Sequence, residues 1–81
     1  MVGRPRTKLS VAFGKVLRRL REQKGLTQEQ LGFEADVQRN FISLVELGHN
    51  QPTITTLFKL AKALGYSPSK IISLVEKEVR T

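Results

Sequence analysis

The chain has 81 residues, of which 40% are hydrophobic, enough for one small domain with a single core. It contains no cysteine and one histidine, which excludes a disulfide framework and a thiolate metal site. The acidic residues are scattered, and no apolar run approaches the roughly 18 residues of a membrane span. We therefore expect no enzyme activity, no metal, no cofactor, no small-molecule ligand and no membrane partner. The lack of cysteine fits a cytoplasmic protein.

The formal net charge of +7 lies entirely in residues 1–24, which hold eight basic residues and one acidic residue. Such a basic end is typical of contact with a polyanion such as DNA, although a solvated face that only aids solubility has the same composition. Residues 1–9 are predicted to form a flexible basic arm. Within it, Gly3-Arg4-Pro5-Arg6 resembles the core of an AT-hook, which places arginines in a narrow minor groove. A plain disordered terminus is the alternative, and entry of the arm into the minor groove stays open.

The predicted domain, residues 10–81, begins with an amphipathic helix. Ser10 is expected to cap this helix, and Gly25 is expected to end it in a left-handed conformation. Between them, apolar residues recur with the i, i+3, i+4, i+7 spacing of a buried helical face. These residues are Phe13, Val16, Leu17 and Leu20.

A helix-turn-helix is the clearest pattern in the chain, with two short helices predicted at about residues 28–35 and 38–47. Thr27 is expected to cap the first of them, and Gln30 completes a capping box. Gly32 is placed where the two backbones approach most closely, so a side chain larger than that of alanine would clash. The inward positions carry apolar or small residues, which are Leu31, Ala35, Val37, Ile42 and Val45.

Two further helices complete a predicted all-α fold of five helices. A polar loop leads to the fourth helix, at about residues 53–64, which Gly65 stops. Its predicted inward residues are Ile54, Leu57, Phe58, Ala61 and Leu64. Ser67 and Pro68 then open a fifth helix that extends to about Val79.

The apolar residues of the fifth helix spread over about 160° of arc, more than a helix at the edge of a small domain needs. The surplus predicts a homodimer built mainly by this helix, with help from the fourth. The predicted interface residues are Ile71, Ile72, Leu74 and Val75. A deeply inserted last helix is the alternative.

These features resemble the phage-repressor helix-turn-helix family of the Cro/C1, or XRE, type. The matching residues are Gly25-Leu26-Thr27-Gln28, Leu31, Ile42, Glu46, Gly48, the loop to Pro52, and Ala61-Lys62-Ala63-Leu64-Gly65. The resemblance covers about residues 13–74, and the length and final helix are similar to controller proteins of restriction-modification systems. It implies a λ-repressor-like domain that binds two-fold symmetric operators as a dimer, with helix 3 in the major groove.

Two residues depart from the family pattern. Asp36 occupies a turn position that usually holds glycine, and aspartate tolerates the left-handed conformation better than most residues. Leu44 stands on helix 3 where a family member can place a polar side chain that reads a base. It could contact a thymine methyl group or pack against the domain.

The outward residues of helix 3 are the predicted base contacts, and they are Gln38, Arg39, Asn40 and Ser43. Arg39 can donate twice to guanine and Asn40 can pair with adenine, although either could instead contact the DNA backbone. The predicted backbone contacts are Gln28, Phe41, Asn50, Gln51 and Thr53. The resemblance implies that Gln28 grips a phosphate at a helix N-terminus, and that Arg21 and Glu46 form a structural ion pair.

We therefore predict a homodimeric, sequence-specific transcription regulator that acts on DNA in the cytoplasm, associated with the nucleoid. One alternative is an antitoxin-type protein-interaction module with secondary DNA binding. Another is a nonspecific binder of nucleic acid or anionic membranes, which would leave residues 38–40 unexplained. The sequence leaves open the operator, the target genes, activation or repression, and any modulating partner.

Overall fold

The computed structural model describes residues 6–81, which form five α-helices and no strand. The helices are α1 (Lys8–Gln23), α2 (Gln28–Ala35), α3 (Arg39–Glu46), α4 (Ile54–Leu64) and α5 (Pro68–Arg80). The predicted all-α, five-helix fold is confirmed. None of these five helices is long and apolar enough to cross a membrane.

The start of α1 differs from the prediction, because Thr7 caps the helix and Ser10 lies in its first turn. The Thr7 hydroxyl accepts from the Ser10 amide, and the Thr7 amide donates back to Ser10 Oγ at 2.8 Å. Lys8 and Leu9, which we assigned to the arm, are therefore helical. Residues 1–5 of the predicted arm, with most of the AT-hook-like segment, lie outside the described residues, and Arg6 is exposed.

Helix α1 is the central element, since it packs against both α3 and α5. Helix α2 packs against α3 and α4, and α4 also contacts α5. All five helices contribute to one core, which contains the four α1 residues predicted from the sequence. The largest fully buried side chains are Leu17, Leu31, Ile42, Leu60, Ile71, Val16 and Val45.

Two predicted faces need correction. On α4, Ile54 and Phe58 are 72% and 57% exposed, and Leu60 is buried in their place. Residues 57, 60, 61 and 64 form the inward stripe, so the helix is rotated relative to our prediction. On α5, Ile71 and Val75 are buried within the protomer, so they are not available to a dimer interface.

Close backbone crossings hold α3 in place on two sides. A Cβ atom on Gly14 of α1 would lie 2.6 Å from the Glu46 carbonyl oxygen, and one on Gly32 would lie 2.6 Å from the Val37 carbonyl oxygen. Even alanine would therefore clash at Gly32, a tighter limit than the sequence predicted. The crossing at Gly14 was not predicted, and together the two contacts fix the position of α3.

Candidate DNA-binding interface

The first turn of α3 presents polar side chains to solvent. Gln38 is the N-cap residue, in an extended conformation, and its side chain makes no capping hydrogen bond. Gln38, Arg39 and Asn40 are exposed, whereas Ile42 and Val45 behind them are fully buried. The buried face orients the helix, so the polar face points outward as the spacing predicted.

The other two predicted residues of α3 are less accessible. Ser43 is half-buried, one turn further along the helix. Phe41 is half-buried and packs against the core. Part of its side chain is therefore buried in the domain and cannot contact DNA. Leu44 is also half-buried, and its carbonyl oxygen accepts from the amides of His49 and Asn50, which shapes the loop after α3.

A groove beside Phe41 collects several of the predicted backbone contacts. It is lined by Thr7 and Ser10 of the α1 start, by Phe41, and by the segment 49–53 that precedes α4. Ser10 is buried and donates from Oγ to the Gly48 carbonyl oxygen at 2.7 Å, which joins the start of α1 to this loop. The structure therefore brings the 49–53 loop and the start of α1 next to α3.

The residues of this loop are not equally free to bind DNA. Gln51 is exposed and Asn50 is half-buried. Thr53 caps α4, because its hydroxyl oxygen accepts from the Thr56 amide at 3.1 Å. Its hydroxyl also donates to Thr56 Oγ1, so the side chain of Thr53 has partners within the chain.

The Arg21–Glu46 ion pair is present and is almost completely shielded from solvent. Arg21 Nε donates to Glu46 Oε2 at 2.6 Å and Arg21 Nη2 donates to Oε1 at 3.0 Å, a two-pronged contact. The hydrogen bond to Glu46 raises the pKa of the Arg21 guanidinium, against the opposing effect of burial. The pair joins α1 to the last turn of α3.

Gln28, at the first turn of α2, also contacts this pair. Its Nε2 donates to Glu46 Oε1 at 3.1 Å, and the side chain is half-buried. The predicted phosphate contact is therefore already a hydrogen-bonding group within the domain, at the end of α3 opposite to Arg39. This hydrogen bond could not be predicted from local sequence patterns, since it joins residues 18 positions apart.

Some of the basic charge on α1 is matched by acidic residues. Arg18 pairs with Glu22, and Arg19 Nη2 lies 2.7 Å from Glu78 Oε1 on α5. Part of the positive charge that we predicted to contact a polyanion therefore pairs with acidic residues, and one of these pairs joins α1 to α5.

Comparison with known proteins gives the family. A family model described as Helix-turn-helix matches residues 17–71, more than half of the chain. The chain belongs to this helix-turn-helix family. The predicted resemblance, and with it the predicted class of DNA-binding transcription regulator, is confirmed.

Similar proteins include controllers of restriction-modification systems. The chain is 34% identical over 65 residues to the control protein C.BamHI of Bacillus amyloliquefaciens, a match that covers 79% of this chain and 80% of the relative. Its structure also superposes on the crystal structure of the controller C.AhdI from Aeromonas hydrophila with a TM-score of 0.74. The two sequences are 39% identical, and the match covers 76% of this chain and 94% of that one.

A second similar structure contains DNA. A variant of the controller C.Esp1396I, bound to its highest-affinity operator site, superposes with a TM-score of 0.84 and 29% identity, over 93% of this chain and 99% of that one. These relatives are DNA-binding regulators, which are not enzymes.

Proposed function

We propose that the protein is a homodimeric, sequence-specific transcription regulator that reads a two-fold symmetric operator with the first turn of α3. The observation that carries the proposal is the exposed polar turn at residues 38–40, backed by the fully buried Ile42 and Val45. A helix with this distribution can enter the major groove without exposing the core. We further propose that it acts in the cytoplasm, on the nucleoid.

Arg39 is the leading candidate for a base contact. Among residues 6–81 it has no ion-pair partner, so its planar fork is free to donate twice to guanine O6 and N7. Asn40, next to it and also exposed, can pair with adenine N6 and N7. Gln38 and Ser43 are proposed as secondary base contacts on either side.

The DNA backbone contacts are proposed to form two groups around α3. One group comprises Phe41 and the loop residues Asn50, Gln51 and Thr53, beside the start of α1. The other is Gln28, in the first turn of α2, where free amides and the helix dipole favour an anion. Such contacts fix the position of the domain on the duplex and carry no sequence information directly.

The first experiment is selection of bound sequences from a random DNA pool. We expect enrichment of a two-fold symmetric consensus. No enrichment would contradict the proposal and would favour a protein-interaction module instead.

The second experiment compares Arg39→Ala with Arg18→Ala, which also removes one positive charge but from an exposed pair on α1. Arg39→Ala should cost about 1–3 kcal/mol on the selected site and relax the preference at one base pair per half-site. Arg18→Ala should weaken selected and scrambled DNA by the same small factor. If Arg39→Ala also weakens both DNAs equally, Arg39 contacts the backbone and reads no base.

A dimer is supported by the apolar residues that the core leaves exposed on α4 and α5. Ile72 of α5 is 49% exposed and Phe58 of α4 is 57% exposed. Tyr66 and Pro68 lie beside Phe58 on one shallow, mostly apolar surface, and Leu74 is half-buried. We therefore place the interface at Ile72 and Leu74 of α5 and Phe58 of α4.

Sedimentation velocity tests this assignment. We expect the unmodified chain to dimerise and Ile72→Lys to be monomeric, because a desolvated charge at an apolar interface is costly. Leu9→Lys is the matched control, since Leu9 is 51% exposed but lies on α1. A monomer at all concentrations for the unmodified chain would contradict the proposal.

A further inference from the structure

The buried Arg21–Glu46 pair also binds the side chain of Gln28, which does not need this hydrogen bond for its own solvation. Gln28 is half-buried, so water can reach it, yet its Nε2 donates to Glu46 Oε1 at 3.1 Å. The same oxygen accepts from Arg21 Nη2, and the Glu46 side chain is only 4% exposed. Glu46 therefore has a fixed position, set by α1 and α3, from which it can orient a group on α2.

We propose that Glu46 is a positioning residue for DNA binding, which holds the Gln28 amide in the orientation that a backbone phosphate requires. The inference rests on the proposed function, in which Gln28 contacts the DNA backbone. An ion pair remote from the bases thereby controls affinity through Gln28.

The chemistry of the amide gives the direction of this effect. A carboxylate without a proton can only accept hydrogen bonds, so the Gln28 atom that faces Glu46 must be Nε2. The amide nitrogen has two N–H bonds, and one of them donates to Glu46. Phosphate oxygens also only accept, so the second N–H is the group that Gln28 can offer to DNA. A Gln28 rotated by half a turn would present its carbonyl oxygen instead.

Arg21 makes this arrangement compatible with DNA. An uncompensated carboxylate beside a phosphate would repel it, but the guanidinium binds both oxygens of Glu46 and neutralises the charge. Arg21 Nη1 also donates to the Leu26 carbonyl oxygen at 2.8 Å, which fixes the loop immediately before α2. The pair thus supplies Gln28 with an acceptor and a fixed backbone, without adding net charge to the interface.

The test removes the pair without changing the net charge. Arg21→Met/Glu46→Met deletes one positive and one negative charge, and apolar replacements of a buried pair of similar volume are often neutral for folding. We expect this double variant to bind the selected DNA about fivefold more weakly per subunit, the usual effect of ordering one flexible side chain on binding. Gln28→Ala in the unmodified chain should cause the same loss.

The decisive measurement adds Gln28→Ala to the double variant. We expect no further loss of affinity, because Gln28 is no longer positioned there. An equal loss from Gln28→Ala in both backgrounds would overturn the proposal, as would no loss from Gln28→Ala in the unmodified chain while Arg39→Ala weakens binding. In either case sequence-specific DNA binding through α3 survives, although the second outcome also removes Gln28 from the proposed backbone contacts. Failure of the unmodified chain to select DNA would instead contradict the proposed function itself.

Glu46→Gln is the second variant if the double variant does not fold. It removes one negative charge per subunit, so an effect of charge alone predicts tighter DNA binding. The new amide nitrogen faces a donor in either orientation, Arg21 Nε in one and Arg21 Nη2 with Gln28 in the other. The network that holds Gln28 is therefore disturbed in both, so positioning predicts weaker binding by a similar factor. Unchanged or tighter binding would overturn the proposal.

Discussion

Gly14 offers a direct test of how α1 fixes the helix that we propose to enter the major groove. A Cβ atom at this position would lie 2.6 Å from the Glu46 carbonyl oxygen and 2.9 Å from its carbon, and it would also collide with the Val45 carbonyl oxygen. These are all backbone atoms, which cannot turn aside as the end of a flexible side chain can. In Gly14→Ala, α3 must therefore move away from α1 by at least roughly 0.8 Å to restore ordinary contact at 3.4 Å with the Glu46 oxygen, and by more with the Val45 oxygen.

Two opposing effects set the change in the free energy of unfolding that Gly14→Ala causes. Alanine favours a helix interior over glycine by about 1 kcal/mol, which alone would stabilise the variant. Overpacking costs about 1–3 kcal/mol, and a clash with rigid backbone in a buried crossing belongs at the upper end of that range. The net loss should be about 2 kcal/mol. For a domain of this size, that lowers the melting temperature by roughly 10 °C.

Thermal unfolding followed by circular dichroism measures this change. Lys15→Ala is the matched control, because Lys15 is the exposed neighbour of Gly14 in the same helix and should shift the free energy of unfolding by less than about 0.5 kcal/mol. A melting temperature for Gly14→Ala equal to or above that of the unmodified chain would refute the reasoning, since helix propensity would then outweigh the crossing.

Other changes test the turn, the core, the surface charges and the DNA interface. Asp36 has φ 59°, so Asp36→Gly should raise the free energy of unfolding by up to about 1 kcal/mol in a urea titration. Leu17→Ala, at a position 1% exposed, should lower it by about 2–5 kcal/mol in the same assay. Arg18→Ala breaks a pair whose side chains are 65% and 54% exposed, and should change it by less than about 0.5 kcal/mol. If a dimer neutralises six to ten phosphates, fluorescence anisotropy should show affinity falling roughly 10³–10⁵-fold between about 50 and 200 mM salt.

The helix-turn-helix could be predicted in detail because its signals are local. Thr27 and Gln30 form the expected capping box, and Asp36 ends α2 in the expected left-handed conformation. The start of α1 could not be placed in the same way. Thr7 and Ser10 both carry hydroxyl groups and belong to the same capping box, so a local rule cannot say which of them is the cap. Ser10 is buried against Gly48, 38 residues away, and this contact depends on the tertiary structure rather than on the local sequence.

The faces of α4 and α5 were only partly predictable for a related reason. Helix α4 carries two overlapping apolar stripes, one through Ile54 and Phe58 and one through Leu60, and both satisfy the helical period. Periodicity alone cannot select between them, because the choice depends on where α2 and α5 lie. On α5 the wide apolar arc was real, but the domain itself buries Ile71 and Val75.

The proposed base contacts and the proposed phosphate contact of Gln28 differ in how the fold holds them. Arg39 and Asn40 are exposed on α3, so their helix position could be predicted from sequence while the bases that they contact could not. Gln28 is held by a hydrogen bond to Glu46, which belongs to the same network as the core-facing ion pair. Substitutions at Arg39 or Asn40 should therefore change sequence preference and leave folding intact, whereas substitutions at Glu46 should change stability and backbone affinity together. Such a division lets the sequence preference vary while the Gln28 contact stays fixed, because Arg39 and Glu46 lie at opposite ends of α3.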